Sequence, residues 1–154
     1  MATTTATITL SSADLLSDNL SLSATMNLYQ HNTTATGLDE MNYHRLVIPT
    51  GTQFDLIQDS EALSEDASYV YIINKNTDVT DYVKISINTE EIGRLYAGDW
   101  LFMPWDNDLT DTEDAQSAQG NDSSIEIEAF THEHIIEYAL FHNGETLLTS
   151  DDVA

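Results

Sequence analysis

The 154-residue chain contains no cysteine, which excludes disulfides, thiolate catalysis and thiolate metal sites. Its 27 acidic and 4 basic residues give a formal net charge of −23, which repels the phosphates of nucleic acids and anionic lipids. We therefore expect no nucleic acid and no membrane among its partners. With 41% hydrophobic residues, a chain of this length can bury one core without covalent cross-links.

The N-terminal residues are rich in threonine and serine, and they lack the basic and apolar regions of a signal peptide. Ile8 and Leu10 alternate with threonines, so we expect a polar arm over residues 1–19 that carries one short strand. Over residues 20–29 apolar and polar side chains alternate strictly, which predicts a half-buried strand. We therefore divide the chain into this arm and a single β-sandwich domain, residues 20–154.

Four further β-prone segments follow, separated by turn signals such as Pro49-Thr50-Gly51. Residues 74–81 have the length and composition of a hairpin loop, so the third and fourth segments are expected to pair. In the fourth segment, alternation predicts that Lys84 and Ser86 point outward, opposite to the valine and isoleucines. The four expected strands cover residues 43–48, 54–57, 69–73 and 82–87.

Residues 94–105 contain both tryptophans and the longest apolar run of the chain. Both faces of a strand over residues 100–103 are apolar, which predicts a buried strand in the middle of the fold. Ala97-Gly98-Asp99 predicts a tight turn immediately before this strand.

The C-terminal third begins with residues 106–124, which carry six acids without regular periodicity and predict a long acidic loop. Strict alternation resumes over residues 125–130. Asn143-Gly144 is a strong hairpin signal, so we expect residues 135–142 and 145–149 to form two strands. The whole chain predicts an all-β fold, namely a single antiparallel β-sandwich or jelly roll of about eight to ten short strands.

His132, His134 and Glu137 form the best candidate metal-ligand pattern, because alternation along a strand places both imidazoles on one face. With Gly144 they resemble the first motif of the cupins, a jelly-roll family in which His-x-His and a glutamate bind a metal. The pattern departs from that motif in the shorter spacing between His134 and Glu137, and no second motif follows it. We therefore expect surface or strand-end histidines here in preference to a metal site.

The acidic loop also offers oxygen ligands at short spacing over residues 106–114, as a divalent cation such as calcium requires. It departs from the EF-hand pattern, because Thr110 and Asp111 stand where an acid or amide and then a glycine are needed. We expect a solvated loop and no bound cofactor.

Trp105 follows Pro104 where the apolar strand meets the acidic loop, which predicts a partly exposed aromatic anchor for a partner protein. The predicted partner-binding residues are Pro104, Trp105, Asp106 and Tyr96. The sequence contains no nucleophile elbow and no phosphate-binding loop, so we expect no enzymatic activity. The aromatic residues that can form either a core or a sugar-stacking platform are Tyr69, Tyr71, Tyr82, Tyr96, Trp100, Phe102 and Trp105.

Residues 69–74, 82–87 and 94–105 follow an order of features that resembles small β-sandwich virion proteins of tailed phages. The order is a strand, an asparagine turn, a second strand, Leu-x-x-Gly-acid, an aromatic strand and Pro-Trp. It covers about the middle third of the chain. The resemblance implies a head decoration or cement protein, which binds the outer surface of the assembled capsid and clamps neighbouring subunits.

This resemblance implies that the partner is the major capsid protein or another virion protein, and that the protein itself forms a homo-oligomer such as a trimer. It also implies a place on the virion after synthesis in the host cytoplasm. The alternative hypothesis is a carbohydrate-binding or other ligand-binding jelly-roll module on a tail or fibre. The third hypothesis is a cupin-like metal enzyme.

Overall fold

The computed structural model describes residues 4–13, 20–29, 37–38, 40–57, 67–105 and 124–142. These residues form ten strands, which confirms the predicted all-β class, and none of them lies in a helix that could cross a membrane. The strands are β1 (Thr4–Ser12), β2 (Leu20–Leu28), β3 (Glu40–Ile48), β4 (Gln53–Ile57), β5 (Ala67–Asn74), β6 (Tyr82–Ile87), β7 (Glu90–Tyr96), β8 (Trp100–Pro104), β9 (Ile125–Ala129) and β10 (His134–His142).

The chain divides into two compact units. The hairpin unit contains β1 and β2, and the body, Glu40–His142, contains β3 to β10. The predicted boundary between an arm and a sandwich domain falls at residues 19 and 20, between two strands that pair with each other. That division of the chain stays a prediction.

The hairpin unit is a two-stranded antiparallel sheet. One face carries apolar side chains, with Thr4 and Ser12 at the two ends of β1, and the other face carries hydroxyl or amide side chains. The strand predicted over residues 20–29 is confirmed, but its predicted half-burial is wrong, since the Leu22 side chain is 54% exposed. Among the described residues no further strand pairs with β1 or β2. Within these two strands only the side chain of Leu28 is buried.

The body is a sandwich of two antiparallel sheets, with strand orders β3-β10-β5-β8 and β4-β9-β6-β7. Each connection from β3 to β10 crosses between the sheets, except the tight hairpin that joins β6 to β7. This order of eight strands is the double Greek key of a jelly roll. The predicted fold class, an antiparallel sandwich or jelly roll, is confirmed.

The core lies between the two sheets of the body. Alternate residues of each strand point into it, as the period of a strand requires. The fully or nearly buried apolar residues of this core are Ile48, Leu56, Ile57, Val70, Ile72, Val83, Ile85, Trp105, Ile125, Ile127, Ala129, Ile136, Tyr138 and Leu140.

Two predicted strand placements are wrong. Residues 74–81 do not close a hairpin, because β5 and β6 belong to different sheets and this segment crosses from one to the other. The aromatic strand β8 lies at the edge of its sheet, and the Trp100 side chain is 50% exposed. Ser86 is buried although alternation predicts that it points outward, and the pairing of β6 with β7 shifts register between Ile85 and Ser86.

Several turns of the body lie at residues with positive φ. Gly51 and Gly98 have φ values of +71° and +86°, which confirms the predicted turns at these glycines. The β6 to β7 hairpin turns at Asn88 and Thr89, both at positive φ, and β7 itself was not predicted. The strand predicted over residues 145–149 and most of the acidic loop at 106–124 lie outside the described residues.

Candidate functional site: an aromatic outer face and a buried polar cluster

The outer face of the β3-β10-β5-β8 sheet is apolar and aromatic. In β5, Val70 and Ile72 point into the core, so Tyr71 points outward. The strand register places Tyr71 beside Phe102 and in line with Tyr43 across the sheet. We call this surface the aromatic face, and its large apolar members are Met41, Tyr43, Val47, Tyr69, Tyr71, Ile73, Trp100, Phe102, Ile135 and Phe141.

The rings of the aromatic face pack against one another across the strands. Tyr69 stacks on Phe102 with ring centroids 5.5 Å apart and an interplanar angle of 4°. Phe102 meets Phe141 edge to face at 6.1 Å, and Tyr71 lies 6.3 Å from Trp100. The rings form two groups, Tyr69 with Phe102 and Phe141, and Tyr71 with Trp100, and the register of β5 and β8 places Tyr71 beside Phe102. The stacking of Tyr69 on Phe102 uses the faces of these two rings within the sheet itself.

An ion-pair group crosses the aromatic face. Glu137 lies between two cations, with 3.5 Å to Arg45 Nη1 and 4.0 Å to Lys75 Nζ. A hydrogen bond to the Glu137 carboxylate raises the pKa of the Tyr43 hydroxyl above its ordinary value. Two of the chain's four basic residues therefore lie here beside one acid, so this group is net positive in a chain of charge −23.

The outer face of the other sheet, which we call the charged face, has the opposite character. Lys84 Nζ lies 2.6 Å from the Glu128 carboxylate, and Arg94 Nε donates to Glu91 at 3.1 Å. The Arg94 guanidinium also lies 4.7 Å from the centre of the Tyr82 ring. Paired charges and polar side chains are the usual covering of a sheet that faces water. The charged face also carries a smaller aromatic group, in which Tyr82 contacts Tyr96 and Phe130. The two outer faces therefore differ in how much of their surface is apolar and how much is charged.

The structure separates the four predicted partner-binding residues. Pro104 is exposed at the edge of the aromatic face, where β8 pairs with β5. Trp105 is only 6% exposed and belongs to the core, so its predicted partial exposure is wrong. Trp105 directly follows the last residue of β8, and its indole points into the core. Tyr96 is 41% exposed but lies beside Tyr82 in the other sheet, and Asp106 lies outside the described residues.

A buried polar cluster lies where the segment from β5 to β6 meets the start of β10. Asn74, Asp81 and His134 are each at most 5% exposed. Asn74 Nδ2 donates to the Leu95 carbonyl at 2.9 Å, and Asn74 Oδ1 accepts from the Asn76 amide at 3.0 Å. His134 Nδ1 lies 3.1 Å from Asn74 Nδ2 and 3.2 Å from Asn76 Nδ2. Side-chain amides thus join the crossing segment to β10.

Two imidazole side chains lie within 3.2 Å of one carboxylate oxygen of Asp81. His132 Nδ1 donates to Oδ2 at 2.9 Å, and His134 Nε2 lies 3.2 Å from the same oxygen, off the axis of a hydrogen bond. Burial alone would raise the pKa of Asp81. The hydrogen bonds from His132 and the Tyr82 amide, with the nearby His134, outweigh burial and lower that pKa below its ordinary value. The carboxylate is therefore held ionised inside the fold.

The candidate metal ligands are not gathered into one site. His134 points inward, whereas Glu137 lies on the outer surface between Arg45 and Lys75. The three-residue spacing puts these two side chains on opposite faces of β10. Among the residues that the structure describes, no group of three histidine, aspartate or glutamate side chains is arranged to hold a metal ion.

Sequence reasoning missed the aromatic face as a unit and the roles of Asn74 and Asp81. The signal for the face was present as alternating tyrosines in β5 and aromatic residues in β8, but their common side depends on the order of strands. Asn74 and Asp81 bracket the segment predicted as a hairpin loop, where buried polar groups are not expected.

Comparisons with known proteins assign the chain to no family. No family model matches the chain, and no curated protein matches it. A similar solved structure is the crystal structure of an RmlC-like cupin family protein with a double-stranded β-helix fold from Methanocaldococcus jannaschii. The two sequences are 12% identical, and the structural alignment covers 67% of this chain and 70% of the cupin family protein. The TM-score of the alignment is 0.39.

Proposed function

We propose that this protein is a non-enzymatic structural protein that binds a larger protein assembly through the aromatic face. The observation that supports this function is the contrast between the two outer faces of the sandwich. Contiguous exposed apolar surface on a soluble protein marks an interaction site, and tyrosine and tryptophan are enriched where partners bind most tightly. Trp100 and Tyr43, each about half exposed, are the expected anchors.

A protein surface fits this face better than a sugar does. A sugar stacks on an aromatic ring whose face is free, but Tyr69 and Phe102 lie face against face. What these rings present outward is an apolar surface flanked by Arg45 and Lys75. An apolar patch beside exposed cations matches a protein surface with apolar side chains and a neighbouring carboxylate.

The finer proposal is a head decoration or cement protein of a tailed phage, as the sequence resemblance implies. The jelly-roll order of strands supports it, because this architecture recurs in virion proteins. The mechanism is mass action. A protein that binds only the assembled shell stabilises it by RT ln(1 + [L]/Kd) for each site, and it needs no catalytic group to do so.

The test uses phage heads assembled without this protein, to which purified protein is added. We expect wild-type protein to co-sediment with the heads and to raise the temperature at which they release DNA. Trp100→Ser and Tyr43→Ser should each weaken binding by about thirtyfold or more, the usual effect of an anchor residue. Tyr96→Ser, a similarly exposed residue in the other sheet, is the matched control and should bind as wild type.

Heads that neither bind the protein nor change in thermal resistance would contradict the decoration role. Equal losses in Trp100→Ser and Tyr96→Ser would contradict the assignment of binding to the aromatic face. The alternative role, a carbohydrate-binding module on a tail or fibre, is favoured by the half-exposed indole of Trp100. Glycan-array binding that is lost in Trp100→Ser, without binding to heads, would support that alternative.

A further inference from the structure

The hairpin unit carries a second apolar surface, separate from the aromatic face of the body. On one side of this sheet β2 carries only apolar residues, and β1 carries three apolar residues between Thr4 and Ser12 at its ends. The apolar pairs across the strands are Ala6 with Met26, Ile8 with Ala24, and Leu10 with Leu22. Leu10 and Leu22 are 55% and 54% exposed. A two-stranded sheet is marginally stable in water unless a further layer covers its apolar side. We therefore expect a further layer, which we call the occupant, to cover this apolar side.

The opposite side of the same hairpin is already satisfied. Thr7 and Thr25 hydroxyls lie 3.0 Å apart across the strands, and Thr5 donates to Asn27 Oδ1 at 3.3 Å. The hydroxyl side pairs within itself and is suited to water, so the occupant belongs on the apolar side.

Charge identifies the occupant. β1 and β2 contain no charged residue, whereas the chain as a whole carries −23. Two copies of this protein repel each other over most of their surface, and a contact through an uncharged element brings the fewest like charges together. A basic partner would gain nothing from this surface and would be drawn to the acidic ones.

The shape of the apolar side is self-complementary. Along β1 the small Ala6 is followed by the larger Ile8, and along β2 the small Ala24 is followed by the larger Met26. Because the strands are antiparallel, the two large side chains lie on one diagonal and the two alanines on the other. A second hairpin related by a two-fold axis can place its large side chains against the alanines of the first.

We infer that β1 and β2 form a self-association element, in which the apolar sides of the hairpins of two copies pack against each other. The occupant of this surface is a second copy of the chain.

Cysteine cross-linking tests the inference in the whole 154-residue chain, because this chain has no cysteine. Leu10→Cys should form covalent dimers when a short bismaleimide cross-linker is added. Thr9→Cys, one residue away on the hydroxyl side, should remain monomeric under the same conditions. Cross-linking of both variants to the same extent, or of neither, would overturn the inference.

Sedimentation velocity of the protein alone gives a second measurement. Wild type should show a concentration-dependent association that Leu22→Glu weakens by about thirtyfold or more, as expected for a charge placed within an apolar contact. Ser23→Glu adds the same charge on the hydroxyl side and should change association far less. Wild-type protein that stays monomeric at millimolar concentration would overturn the inference, and so would equal weakening by the two glutamates. Circular dichroism establishes that both variants keep their strands.

Discussion

Replacing Asp81 by asparagine tests whether the buried polar cluster holds the crossing segment against β10. The substitution keeps the shape of the side chain but removes the charge that receives His132 at 2.9 Å and His134 at 3.2 Å. A hydrogen bond to a charged group contributes about 1.5–3 kcal/mol, and the new amide would also present a donor to buried imidazole. We expect Asp81→Asn to lower the free energy of unfolding by about 2–4 kcal/mol at pH 7, out of a typical 5–15 kcal/mol.

The pH dependence of this loss makes the prediction specific. A carboxyl whose pKa is lowered on folding stabilises the fold above its ordinary pKa, here 3.8, and that contribution is lost as the pH falls through the lower folded value. The difference between wild type and Asp81→Asn should therefore be full at neutral pH and shrink below pH 3.8. Urea unfolding followed by tryptophan fluorescence measures it, since Trp105 is buried in the folded core.

Asp78→Asn is the matched control in the same segment. Asp78 accepts hydrogen bonds from the amide and hydroxyl of Thr80, which lower its pKa, but its side chain is exposed. We expect a much smaller loss of stability than for Asp81→Asn. A difference between wild type and Asp81→Asn that stays constant with pH would refute the reasoning, as would equal losses in the two variants.

Three further predictions concern backbone, core and charge. Gly98→Ala should destabilise the fold by about 1–2 kcal/mol because φ is +86° there, whereas Gly93→Ala, a glycine without positive φ, should be close to neutral; thermal unfolding compares them. Ile127→Ala should cost about 2–5 kcal/mol because Ile127 is fully buried, and Ile92→Ala, at a half-exposed position, should cost far less in the same urea assay. Raising salt from about 0.05 to 0.5 M should strengthen self-association in sedimentation, because screening reduces repulsion between copies of charge −23, and weaker association at high salt would contradict it.

Local pattern predicted most of the strands and little of their arrangement. Strict alternation identified β2, β6 and β9, and the β10 segment was assigned to a strand on the strength of a turn signal beyond it. β7 was missed because its turn at Asn88 and Thr89 lacks the glycine that marks such hairpins. Strands that follow one another along the chain of a jelly roll usually lie in opposite sheets. The prediction that β5 pairs with β6, which relied on their closeness in sequence, is therefore wrong.

The candidate site depended on information that a single sequence does not contain. Whether Trp100 and Trp105 are surface or core is decided by the parity of β8 and by its place at the sheet edge. Both tryptophans stood in one apolar run, and the structure sends Trp105 to the core and leaves Trp100 outside. Likewise, His134 and Glu137 looked like partners by spacing, but strand geometry places them on opposite faces.

The pairing of β3 with β10 sets the order in which the body can form during synthesis. β3 is the first strand of the body to leave the ribosome, yet its neighbour in the sheet is the last, and Glu40 pairs with His142 at the far end of the unit. β3 can form its sheet hydrogen bonds only after β10, the last strand of the body, has been synthesised. We therefore expect the body to fold slowly, late in synthesis and cooperatively. The same pairing brings both ends of the body to one corner, so a permuted chain that joins them and opens at another turn should keep the same sandwich.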